Sequence, residues 1–114
     1  MTVNEIVQNL DLSVCTGGDR LNNIVTGGYT GDLLSDVIAN SKAGNVWVTI
    51  QLHVNIVAVA VLKDLSAIVL ANGRAPAEDT LKKATEEHVT ILTSKHPAFE
   101  TVSDLYKLGV GRET

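Results

Sequence analysis

Apolar residues recur along this chain in two rhythms, one helical and one strand-like. In Val3–Leu10 they fall at positions 3, 6, 7 and 10, a helical spacing. Residues 12–16 and 23–26 are short strand candidates, ended by Gly17-Gly18 and Gly27-Gly28. Residues 32–41 carry Leu33, Leu34, Val37 and Ile38 on one helical face, with Gly44 just past the end. The clearest strand is 45–52, where Val46, Val48 and Ile50 alternate against Trp47, Thr49 and Gln51. Asn55 is placed to cap a helix running to Leu65, and that helix is apolar almost all round. Such a helix is buried by other elements or by a second subunit.

Residues 67–71 form a continuous apolar run, the mark of a strand covered on both faces, and Asn72-Gly73 is its turn. An amphipathic helix is expected over 77–88, with Glu78/Lys82 and Asp79/Lys83 pairs four residues apart. Residues 89–93 give the last strand. Pro97 opens the last helix, with Phe99, Val102, Leu105 and Tyr106 on its core face and Gly109 at its end. Residues 111–114 read as a frayed end. The alternation in the second half predicts an α/β fold, a mainly parallel sheet flanked by helices. Four turns, at 26–31, 51–55, 72–74 and 94–97, then emerge at one edge, where open α/β sheets place their ligands.

Length and composition narrow this picture. A chain of 114 residues is one domain, 1–114, able to bury a substantial core. Aromatics are only 4% of it, so aliphatic side chains must fill that core. The net charge of −4 comes with scattered Lys and Arg, which argues against a nucleic-acid partner. The single Cys15 excludes an internal disulfide and suits a reducing cytoplasm; in its apolar strand it reads as a small core residue. The N-terminus lacks the charged and apolar regions of a signal peptide, and the apolar stretch 54–71 is interrupted by Lys63, Asp64 and Ser66, so no membrane span is expected.

The chemistry-bearing residues gather at the turns. Thr26, Gly27, Gly28 and Tyr29, followed by Thr30-Gly31-Asp32, form either a tight turn needing positive φ or a cradle of backbone N–H groups for an anion. No Walker loop and no G-x-G-x-x-G spacing is present. Thr16-Gly17-Gly18-Asp19-Arg20 is a turn between short strands, or places Arg20 on an anion. Gln51, His53 and Asn55 close the central strand, with His53 readable as a general base, a ligand contact or a hydrogen-bonded structural histidine. Asn72, Gly73 and Arg74 complete the set. His53, His88, His96 and Cys15 show no metal-site spacing, and no nucleophile, paired carboxylate or triad order stands out, which argues against catalysis.

The run from Thr49 to Leu108 resembles the DRTGG domain family, through its strand into a polar turn and buried helix, its apolar strand ending in a glycine turn, the Pro76-to-Leu81 helix start, the Val-x-Ile-Leu strand and the final helix with Phe99-Glu100-Thr101. The TGGYTGDLLSDVIANSK segment resembles the same family's N-terminal half. At the family's Asp-Arg element this chain has His53 and Val54 nearby, and at its Thr-Gly-Gly element Ala71-Asn72-Gly73. Such domains occur alone, beside CBS modules and inside phosphate acetyltransferases, and are similar to the N-terminal domain of HPr kinase/phosphorylase. The resemblance implies an α/β fold, homodimerisation and a regulatory, ligand-sensing role without a defined reaction or cofactor. Combined with the turns, it leads to the expectation of a small anionic metabolite or nucleotide bound by Thr26, Gly27, Gly28, Tyr29, Gln51, His53, Asn55, Asn72, Gly73 and Arg74. The alternative is a non-catalytic dimerisation or interaction module of a larger enzyme complex.

Overall fold

A computed structural model describes residues 1–112; the frayed end expected over 113–114 lies outside the described residues. The elements run α1 (Val3–Leu10), β1 (Ser13–Thr16), a 3₁₀ turn (Gly18–Arg20), β2 (Gly27–Thr30), α2 (Leu34–Asn40), β3 (Asn45–Thr49), α3 (Asn55–Lys63), β4 (Ala67–Leu70), α4 (Glu78–Glu86), β5 (Ile91–Thr93) and α5 (Ala98–Leu108). One sheet has the order β1-β5-β4-β3-β2. β2 to β5 are parallel, and β1 closes the far edge antiparallel to β5, with its register broken between Val14 and Thr16.

The alternation in β3 separates two cores. Val46 and Val48 face Val69 and Leu92 under α1 and α5, together with Val3, Ile6 and Leu105. Trp47 faces Ile68, Leu70 and Ile91 under α2, α3 and α4, together with Val37, Ile56, Val57 and Ala84. Trp47 is fully buried, and its indole N–H donates to the carbonyl of Gly31 at 2.9 Å, tying the end of β2 to β3. A buried indole needs such a partner, because an orphaned N–H costs more than the bond itself contributes.

Several local expectations are corrected. β2 is 27–30, not 23–26. Residues 23–25 are diverted to the N-terminus: Val3 N–H donates to Asn23, Val25 N–H donates to Met1, and Ile24 bridges Thr2. The glycine pair Gly27-Gly28 therefore lies inside a strand. The tight turn is at Gly44 instead, whose φ is +80° and where a Cβ would stand 2.6 Å from the Thr26 side chain. Neither Asp32 nor Asn55 caps a helix; Leu33 and Val54 hold those positions without side-chain bonds. Lys83 pairs with Glu87 at 3.3 Å and Glu86 at 4.0 Å. Cys15 is exposed, because β1 is an edge strand. On α5 the core positions are Thr101 and Leu105, whereas Phe99 is 86% and Tyr106 56% exposed.

The Trp47 contact makes a direct test of this packing. Trp47→Ala removes the largest buried side chain and the Gly31 bond, and should destabilise the domain by about 3–5 kcal/mol. Urea denaturation followed by far-UV circular dichroism would measure it.

Candidate functional site

The C-terminal ends of β2, β3, β4 and β5 meet at one edge, and hydrogen bonds stitch their turns together. Asp32 follows β2 and bonds across to β3: its Oδ1 accepts from Thr49 Oγ1 at 2.7 Å and from the N–H of Ile50 at 2.9 Å. Gln51 Nε2 returns a bond to the Asp32 carbonyl at 2.9 Å. This clasp takes the N–H of Ile50 out of the sheet and ends β3 at Thr49, before the expected Leu52. Thr80, fully buried on α4, donates to the Leu52 carbonyl at 2.8 Å and fixes the next part of the loop.

Beyond β4, Asn72 and Gly73 both adopt positive φ, at 65° and 63°. Their N–H groups donate to the carbonyls of His96 and Ser94, each at 2.8 Å. The β4 and β5 turns thereby hold each other, and Gly73 has no N–H left for a ligand. Ser94 is buried and shares a 2.9 Å bond with Thr101 Oγ1, anchoring the start of α5. Arg74, Asn55 and His53 stand exposed along this edge. His53 Nδ1 accepts the N–H of Asn55 at 3.3 Å, a backbone bond that orients the ring without a carboxylate partner.

The expected residues fall into two groups. Gln51, His53, Asn55, Asn72, Gly73 and Arg74 share the C-terminal edge. Thr26 and Gly27 lie at the opposite edge, since Gly27 pairs with Asn45, the first residue of β3, and Thr26 N–H donates to Gly44. Gly28 and Tyr29 sit between the two edges. Tyr29 donates its phenol to Asp36 Oδ2 on α2, and Asn40 Nδ2 donates to Asp36 Oδ1 at 2.9 Å. The Asp36 hydrogen bond, with desolvation and the carboxylate's charge, raises the Tyr29 phenol above its ordinary 10.0. Among the described residues no cluster of His, Cys, Asp and Glu could hold a metal ion.

Two cavities adjoin β2, and sequence reasoning missed their outer wall. A groove of about 270 Å³ runs between α5 and β2, floored by Val46 and Val48 and walled by Val102 and Tyr106. A more polar cleft of about 470 Å³ opens along the N-terminal part of β2, beside Lys42 and Asn45. Gly28 and Gly111 line both. The available signal was the spacing of Phe99, Val102 and Tyr106, a helical stripe offset from the one through Thr101 and Leu105.

The Tyr29–Asp36 bond has a pH signature. In a Tyr106→Phe background, ultraviolet titration should show Tyr29 ionising above the ordinary tyrosine range, and Asp36→Asn should return it toward that range. With the folded value raised, the bond's contribution to stability is complete below about pH 10 and is lost as pH rises through the folded value.

No family model matches the sequence, and no curated protein matches it. Among solved structures, the chain is similar to the CBS and DRTGG domains of the regulatory region of Clostridium perfringens pyrophosphatase complexed with activator, diadenosine tetraphosphate. The TM-score is 0.72 at 14% identity, over 90% of this chain and 46% of that one. The chain thus spans about half the length of that regulatory region and shares its fold, an α/β domain with a five-stranded, mainly parallel sheet.

Proposed function

We propose that this domain is a non-catalytic regulatory unit that senses a small anionic metabolite or nucleotide at the C-terminal edge of its sheet. The observation that carries this reading is the convergence of four strand ends on one edge, with Arg74, His53 and Asn55 exposed along it. Strand-end crevices of open α/β sheets are where such folds bind ligands. Arg74 supplies a charge-assisted donor for an anion. The fold shared with a regulatory region complexed with a dinucleotide supports the ligand class. A histidine bonded only to backbone supports a binding rather than a general-base role for His53. In this reading the domain works in the cytoplasm as a homodimer, alone or beside other modules.

A second reading, a dimerisation or interaction module without a small ligand, is favoured by the apolar residues left exposed on α3: Val61 at 50% and Leu62 at 67%.

A thermal-shift screen against nucleotides, dinucleotides, acyl phosphates and coenzyme A derivatives tests the first reading. Ligand at 100 times its dissociation constant should stabilise the domain by about 2.7 kcal/mol. Arg74→Ala should keep the fold and weaken that binding; unchanged affinity would remove Arg74 from the site. Under the second reading no compound shifts the melting temperature, and Val61→Glu converts a dimer to monomers in light scattering at micromolar concentration.

A further inference from the structure

The groove beside β2 lies apart from Arg74 and has a chemistry of its own. In a parallel ladder, alternate residues of an edge strand turn their backbone groups outward. The N–H of Gly31 donates inward to Val48, and the carbonyls of Asn45 and Thr49 accept from the β4 side, leaving Val46 and Val48 to serve β2. By this alternation Tyr29 bonds inward, while Gly28 and Thr30 present N–H and C=O to the open edge. Gly28 is exposed and has no side chain to shield that pair. Below it lies the apolar floor of Val46 and Val48, and beside it the exposed ring of Tyr106. The guanidinium of Arg112 lies 5.4 Å from the centre of that ring, and Lys42 lines the adjoining cleft.

An apolar slot of about 270 Å³ with an aromatic wall takes a flat ring system. An unshielded backbone donor and acceptor on one side of Gly28 match the edge of a heterocycle that carries an acceptor next to a donor. Cations at the neighbouring cleft suit an anionic tail. We infer that the groove is a second ligand site, in which Gly28 reads the edge of a purine base, Tyr106 stacks on it, and Lys42 attracts the phosphate of a purine nucleotide. This inference goes beyond the C-terminal-edge reading and does not depend on it.

The test is titration calorimetry of the whole domain with AMP, adenosine and inorganic phosphate, on wild type, Gly28→Val, Lys42→Ala and Arg74→Ala. A Cβ at Gly28 meets Val110 at 3.5 Å, an ordinary contact, and the backbone there has no positive φ, so a strand-forming residue fits while filling the groove. Wild type should bind AMP more tightly than adenosine and should not bind phosphate alone. Gly28→Val should weaken AMP and adenosine alike, by about tenfold or more, within the loss expected when a stacked base is displaced. Lys42→Ala should reduce AMP to the level of adenosine and leave adenosine unchanged. Arg74→Ala should change neither. Should Gly28→Val fail to fold, Tyr106→Ala at the exposed ring decides, with the same loss expected for both ligands. Absence of AMP and adenosine binding to wild type overturns the inference. So does AMP binding that is lost in Arg74→Ala but retained in Gly28→Val, a result that leaves the C-terminal-edge reading standing.

Discussion

Two strands without a wet face organise this domain. Every residue of β3 and of β4 is buried, with Val46, Val48 and Val69 on one side and Trp47, Ile68 and Leu70 on the other. Such strands need helices above and below, and parallel pairing supplies them through its crossovers. Because β2, β3, β4 and β5 follow one another in a single direction across the sheet, α2, α3 and α4 all return on the same side. Right-handed crossovers permit no other arrangement for that strand order. The convergence of four turns at one edge is a consequence of the same rule.

The opposite face is left to the two terminal helices. α1 and α5 cover Val46, Val48, Val69 and Leu92, but two helices do not reach across five strands. The uncovered strip falls over β2, where Gly28 and Thr30 offer little apolar surface that would need a lid. The groove is thus a product of topology and composition together. A Val at Gly28 would extend the core outward, whereas Gly leaves the depression open.

Strand and helix identities were legible wherever period and burial agree, as in the 45–52 alternation and the 67–71 run. Misreadings arose where long-range partners outweighed local signals. Residues 23–25 have a strand-like composition, yet they pair with Met1, Thr2 and Val3, which no local pattern announces. Gly27-Gly28 looks like a turn and lies in a strand because β3 provides the ladder. Asp32 looks like a helix cap and instead satisfies Thr49 and Ile50. Phe99 and Tyr106 sit on an apolar helix face that is wider than the sheet beneath it, so their size did not bury them.

The two ends of the expected site differ in which polar groups they leave free. At the C-terminal edge the backbone donors of Ile50, Asn72 and Gly73 are consumed by neighbouring turns, so recognition there falls to side chains such as Arg74, His53 and Asn55. Side chains on turns recognise charge and tolerate variation in the shape of what they hold. Along β2 the reverse holds: side chains are nearly absent at Gly27 and Gly28, and the strand's outward backbone is free. Backbone groups on a rigid strand recognise the pattern and geometry of an edge rather than net charge. A ligand that joins a flat heterocycle to an anionic group therefore finds its two halves matched by different parts of β2 and its flanking cleft, whereas a compact anion finds its partners at the strand ends.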